Sequence, residues 1–296
     1  MKPEPESATA GPCILYSHHE CRHVATEQCV AVHGLTYLLA GSLRVNQAAS
    51  SHVFEAGSLL FSRKNFLAKF TKQPAANGPF QAITVLFDQA LLREFSLLNS
   101  PDGMLLTDSL PPSLPSAPAV WAIPFTPALR RLYESLRPYC DGQPLPAALA
   151  REQQHDALRL LLLAQPALRP LLFDFGQPGK IDLEAFMRQH FRFKVELKQL
   201  AYLTGRSLAA FKRDFNQLFH TSPARWLYHQ RLAEAYYLLQ EEHQRPSDVY
   251  HAVGFESLAH FSHAFKQLFG RPPSSVHAPP PAGPAGPPPV GRPTQQ

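Results

Sequence analysis

A self-match at an offset of 50 residues constrains this chain more than any other feature. Ser207–Pro223 reads SLAAFKRDFNQLFHTSP and Ser257–Pro273 reads SLAHFSHAFKQLFGRPP. Without a gap, Ser207/Ser257, Leu208/Leu258, Ala209/Ala259, Phe211/Phe261, Phe215/Phe265, Gln217/Gln267, Leu218/Leu268, Phe219/Phe269 and Pro223/Pro273 coincide. So dense a match means one supersecondary unit used twice.

The physical chemistry of the repeat can be read directly. Ser207 and Ser257 are N-cap residues, whose hydroxyls satisfy orphan N–H groups of a first helical turn. Phe211, Phe215, Leu218 and Phe219 fall at i, i+4, i+7 and i+8, an apolar stripe facing a small core. Ala210, Lys212, Arg213 and Asn216 occupy the opposite face. Upstream, Val195–Leu203 predicts a short helix with Leu197, Leu200 and Ala201 inward, and Thr204-Gly205-Arg206 makes the turn. Helix, tight glycine turn, helix is the helix-turn-helix pattern. The second copy repeats it with Ser247–Val253, the turn Gly254-Phe255-Glu256 and Leu258–Phe269. Between the copies, 224–244 predicts a linker helix with Leu227, Leu232, Ala235, Tyr236 and Leu239 apolar.

VGFESLAHFSHAFKQLFGRPPSSV, from Val253 to Val276, resembles the signature of the AraC/XylS family of bacterial transcription activators. RLAEAYYLL, from Arg231, resembles the family's linker helix. The resemblance covers roughly residues 180–277. It implies a seven-helix DNA-binding domain that presents the second helix of each repeat to one of two adjacent major grooves of promoter DNA. Such grooves lie about 34 Å apart, a span that a linker helix can bridge. The family's base-reading positions fall on Ala209, Lys212 and Arg213 in the first repeat and on Ala259, His260 and His263 in the second. Arg213 is the candidate for a bidentate contact to guanine. Lys212, Asn216 and Lys266 are candidates for base or phosphate contacts. Ser207 and Ser257, at their helix N-termini, are candidate phosphate anchors. His263 departs from the family, which commonly has arginine there, so the second repeat is expected to contribute less affinity and to be pH-sensitive.

Charge follows the same division. Residues 1–179 carry 14 Lys/Arg and 14 Asp/Glu, whereas 180–277 carry 13 Lys/Arg and 9 Asp/Glu, a net +4. A neutral part followed by a basic part suits a sensor joined to a polyanion binder.

Upstream, the fold class is α+β: an antiparallel β domain with helices, then an all-α domain with the two helix-turn-helix units. Short strands are expected within 29–87: Cys29–Ala40, a hairpin of 43–45 with 52–54, then 58–62, 66–71 and 81–87. GSLRVNQAASSHVFEAGSLLFS, from Gly41, resembles the cupin-like ligand domain of these regulators. Proline-rich 99–127 reads as an extended connection. Helices follow at 127–139, with Leu129, Leu132, Tyr133 and Leu136 on one face, and at 145–164, with Leu158 and Leu160–Leu163 apolar. These faces serve either packing on the barrel or a dimer seam. The expected divisions are a disordered 1–12, a regulatory and dimerisation domain over 13–178, a DNA-binding domain over 179–277 and a disordered Pro-rich tail over 278–296.

Other chemistries leave little trace. Metal-binding cupin enzymes use paired histidines, and the hairpin holds only His52, so neither enzyme activity nor a cofactor is expected. His18, His19, Cys21 and His23, with Cys29 nearby, offer ligand chemistry but lack paired spacing and sit near a mobile terminus; no metal site is expected. No nucleophile elbow, Walker loop or dinucleotide fingerprint appears. Ser62, Arg63, Lys64 and Asn65 form a polar break that reads as an effector-pocket wall, a polymerase contact or a simple exposed turn. The expected partners are double-stranded DNA, RNA polymerase, a small-molecule or protein effector and a second copy. With no membrane span or secretory leader in the sequence, a cytoplasmic place at the nucleoid is expected. Two alternatives compete: a cupin-type enzyme fused to a helical interaction module, and a protein-binding role for the repeats.

Overall fold

A computed structural model describes residues 13–24, 28–48, 50–99, 119–141 and 145–276. The expectations for both termini, and for most of 99–127, lie outside these residues. Internal contacts divide the chain into two compact units: Met1–Ile181 with Lys198–Arg206, and Asp182–Leu197 with Ser207–Gln296.

The first unit carries two antiparallel sheets. One orders its strands β1 (Ile14–His19), β9 (Phe80–Phe87), β4 (His33–Ala40), β7 (Leu59–Ser62) and β10 (Val120–Ile123). The other orders β2 (His23–Val24), β8 (Phe66–Gln73), β5 (Ser42–Asn46) and β6 (Ser51–Glu55), with β3 (Gln28–Val30) also on β8. The period-2 alternation of side chains explains why both faces of the first sheet are buried. On β9, Phe80 and Ala82 join Leu38, Val45, Leu60 and Ala68 in one core. Ile83, Val85 and Phe87 point the other way, into a second core with helical residues. Between β4 and β5, Gly41 sits at φ +79°, and a Cβ there would lie 2.3 Å from the Gln73 carbonyl oxygen. Only glycine fits that turn.

Helices α1 (Gln89–Leu98), α2 (Pro127–Leu136) and α3 (Ala147–Ala164) supply the second core, followed by the short α4 (Arg169–Leu172). Leu129, Leu132, Tyr133 and Leu136 are all buried. The Tyr133 hydroxyl donates to the Leu35 carbonyl at 2.6 Å. This face of α2 therefore packs on the sheet and is not a free dimer seam.

Several sequence expectations need correction. Cys29–Ala40 is two strands, β3 and β4, because the chain breaks step at Ala31-Val32. The His18-His19 segment is β1, paired along its length with β9, rather than a loose terminus. Leu163 is 73% exposed and does not join the packed face of α3. Ser62–Asn65 is half-buried rather than a simple exposed turn.

In the C-terminal third, α5 (Leu183–His190), α6 (Leu197–Leu203), α7 (Leu208–Phe219), α8 (Pro223–Gln240), α9 (Pro246–Ala252) and α10 (Leu258–Phe269) follow in order. A single 3-10 turn, Pro273–Ser275, comes last. Among the described residues this makes six α-helices, where the family resemblance implies seven. The linker helix stops at Gln240, four residues short of the expected end.

Candidate nucleic-acid interface

The second helices of the two repeats, α7 and α10, start alike. Ser207 Oγ accepts the Ala210 N–H at 3.2 Å, and Ser257 Oγ accepts the His260 N–H at 3.1 Å. Each hydroxyl spends a lone pair on its cap and keeps its own proton, a donor at a helix N-terminus where partial positive charge favours an anion. Both helices end on a left-handed residue, His220 and Gly270.

The turns differ by one residue. In the first, Thr204 closes α6 by donating its hydroxyl to the Leu200 and Ala201 carbonyls, both at 2.9 Å. Gly205 sits at φ +66°, where a Cβ would lie 2.4 Å from the Gly179 backbone. In the second repeat, five residues separate α9 from α10, against four between α6 and α7. Gly254 takes the left-handed role there, at φ +85°.

Inward faces are aromatic. Phe211 and Phe215 are fully buried, and Phe215, Phe219 and Trp226 pack in tilted and edge-on contacts with centroids 4.4 to 5.7 Å apart. In the second repeat, Phe261, Ala264 and Phe265 are buried against Leu232, Ala235, Leu239, Val249 and Val253. Leu218, expected in the stripe, is instead 49% exposed, because Phe219 takes the place against Trp226.

Outward faces hold the residues singled out from the sequence. Ala209, Lys212, Arg213 and Asn216 are exposed on α7, as are Ala259, His260, His263 and Lys266 on α10. Arg213 is not idle: Nε and Nη2 donate to Asp214 Oδ1 at 3.3 and 3.1 Å. A base contact must displace that carboxylate. Sequence reasoning missed Leu208 and Leu258, the first residues of the two helices, which are 37% and 41% exposed. The signal was available, since an identical apolar pair stands just after each N-cap, outside the buried stripe.

A clamp holds this architecture in register. Arg231, on linker helix α8, donates from Nε to the Phe191 carbonyl at 3.2 Å and from Nη2 to the Phe193 carbonyl at 3.1 Å. Its guanidinium also lies against Gly254, whose Cβ would sit 3.3 Å from Cζ. Ion pairs Arg192–Glu234 and Lys194–Glu256 reinforce the same contact. The Lys194 ammonium holds the Glu256 carboxyl below the usual carboxylate range. The segment before α6 is thereby tied to the turn of the second repeat.

Comparison with known proteins agrees with this geometry. Residues 200–278 match a model described as a helix-turn-helix domain, and residues 33–168 match one described as the ExsA N-terminal regulatory domain. The HTH-type transcriptional regulator ExsA of Pseudomonas aeruginosa is 25% identical over 243 residues, covering 81% of this chain and 84% of that one. The virulence regulon transcriptional activator VirF of Yersinia enterocolitica is 23% identical, covering 82% and 88%. The chain belongs to the AraC family of transcriptional regulators. A second Pseudomonas aeruginosa member, the MmsAB operon regulatory protein, is 31% identical over 121 residues, 40% of this chain and 38% of that one. As an AraC family protein the chain is a DNA-binding transcription regulator with an N-terminal regulatory domain. Neither match supports the cupin-type enzyme alternative. No helix of the described residues is long and apolar enough to cross a membrane.

Proposed function

We propose that this regulator activates transcription by laying α7 and α10 in two adjacent major grooves of promoter DNA. One observation carries the reading: two identically capped helices each bury an aromatic face and leave a polar face exposed. Arg213 releases Asp214 and takes guanine through its fork, while Lys212 and Asn216 read neighbouring bases or phosphates. On α10, Ala259, His260 and His263 face the bases, with Lys266 on the backbone. Ser207 and Ser257 donate to phosphates. Leu208 and Leu258 suit the methyl groups of thymines. Activation brings RNA polymerase as a partner, in the cytoplasm at the nucleoid, under an effector bound by the N-terminal domain. A second copy of the chain is a further partner, through the apolar ends of α1 and α3 at Leu98 and Leu163, both more than 70% exposed.

Salt tests the reading directly. With about six phosphates neutralised, log K falls against log salt with a slope of about −5. Fluorescence anisotropy on a promoter fragment reads that slope, and a flat line points to a protein partner instead.

A fixed positive charge on α10 gives a second test. His263→Arg places a guanidinium on the exposed face of that helix and is expected to tighten binding by about tenfold, the worth of one charge-assisted hydrogen bond. Equal Kd values for the two proteins would remove position 263 from the interface.

A further inference from the structure

In the first unit, the break between β7 and β8 gathers positive charge where charge is costly. Gly34 pairs with Ser62, so His33 and Arg63 are the next residues along these two antiparallel strands. His33 is fully buried, its ring stacked on Phe61 with centroids 5.6 Å apart. Its Nδ1 accepts the Lys64 backbone N–H at 3.1 Å. Burial, with the Lys64 and Arg63 charges beside it, pushes this imidazole down to about 3. The ring is therefore neutral at physiological pH. With Nδ1 accepting, its one proton sits on Nε2.

That Nε2–H is buried and has no hydrogen-bond partner among the described residues, and the same holds for Nε–H of Arg63. Burial also lowers the Arg63 and Lys64 pKa values. The Lys64 ammonium donates to the Asp174 backbone carbonyl. Both the Asp174 carboxylate and the Arg93 guanidinium act on its charge. Asp174 is already committed, its Oδ1 accepting the Gly176 N–H at 2.9 Å. Among the described residues, three cations and a donor histidine thus meet one carboxylate, and both orphan atoms are donors. Each unmet buried donor is costly, and desolvated cations demand a counter-charge. What the cluster lacks among these residues is an acceptor bearing negative charge.

We propose that His33, Arg63 and Lys64 form a binding site for a small oxyanion, a carboxylate or phosphate group. Arg63 offers the side-on fork of Nε and one Nη, His33 adds Nε2–H, and Lys64 supplies charge. The regulatory consequence rests on the effector reading of this domain. Phe173–Gly176 is held by Lys64 and by Gln89, whose Nε2 donates to the Phe175 carbonyl at 3.5 Å. This segment directly precedes Pro178-Gly179 and the DNA-binding part of the chain. An oxyanion that draws Lys64 off the Asp174 carbonyl loosens it.

The test uses the full chain without DNA, so that its failure leaves the DNA-reading proposal standing. Thermal melts are run in rising inorganic phosphate, acetate or benzoate, at constant ionic strength against chloride. At least one oxyanion raises Tm saturably, and Arg63→Met needs at least tenfold more of it. A response to phosphate alone, or to the carboxylates alone, names the source. The unliganded Tm of Arg63→Met is not below that of the wild type, since a desolvated charge is replaced by an apolar chain of similar length. Arg63→Lys, which keeps charge and loses the fork, falls between the two in affinity. At the oxyanion concentration that saturates the wild type, the His33 Nε2–H proton resonance has moved fully in the wild type and only slightly in Arg63→Met. No saturable rise above the chloride control, or an equal response in both Arg63 variants and the wild type, overturns the proposal.

Discussion

Phe265→Ala is expected to cost about 3–5 kcal/mol, the usual range for emptying a fully buried aromatic site. Phe265 is 0% exposed and lies among Phe261, Phe269 and Tyr236, with centroids 5.6, 4.6 and 6.1 Å away. Those neighbours come from the same helix and from the linker helix, so they cannot close over the gap without moving α10 against α8. A domain's whole stability is about 5–15 kcal/mol, so a loss of this size disorders the second repeat near its working temperature. Leu218→Ala provides the contrast. The repeat pattern puts Leu218 in the stripe, yet half of it faces solvent. Its loss should change stability by only about 0.5 kcal/mol. Urea unfolding followed by circular dichroism measures both. Comparable costs at the two positions would mean that the burial assigned to α7 or α10 is wrong.

Arg231→Leu should separate folding from groove spacing. The wild-type side chain makes two charge-assisted hydrogen bonds to backbone carbonyls, each worth about 1.5–3 kcal/mol and not additive. Leucine leaves the Phe191 and Phe193 carbonyls without those donors and withdraws the guanidinium from Gly254. The second repeat keeps its own aromatic core, so each recognition helix still forms. What weakens is their fixed relation. Affinity for a site spanning two grooves is therefore expected to fall about 100-fold, the equivalent of about 3 kcal/mol. A half-site touching a single groove should lose far less. Arg231→Lys, with a point charge in place of the fork, should recover part of the loss. Equal losses on both sites would show that Arg231 serves only general stability.

How much of this was legible in the sequence depends on how far apart the determining residues lie. The repeat exposed helices α7 and α10, their serine caps and their outward faces, because all of that information sits within one helix. Its limit was Leu218, where the choice between two apolar residues depends on Trp226 in the next helix. Strand β1 was missed because Ile14–His19 shows no clean alternation; only its pairing with β9 makes it a strand. Helix α1 was missed despite a local sign, the Asp88 carboxylate accepting the Leu91 N–H at 2.7 Å. The cluster of His33, Arg63, Lys64, Arg93 and Asp174 was beyond reach as a whole. It draws on four distant segments, and the register of β4 on β7 alone puts His33 beside Arg63. Only the Ser62–Asn65 break hinted at it. Arg231 looked like one residue of a linker-helix signature, and its clamp needed the position of Gly254.

The central claim is that both repeats read DNA, each through its exposed helix face. Selection of bound fragments from a random or genomic pool by the purified protein tests it most directly, with Arg213→Ala run beside the wild type. The wild type should enrich two conserved blocks about one helical turn apart, roughly 10–10.5 base pairs from centre to centre. Arg213→Ala should relax a guanine in one block, by about 1–3 kcal/mol of discrimination, and leave the other block intact. A single block, no enriched sequence, or a motif unchanged by Arg213→Ala would contradict the account.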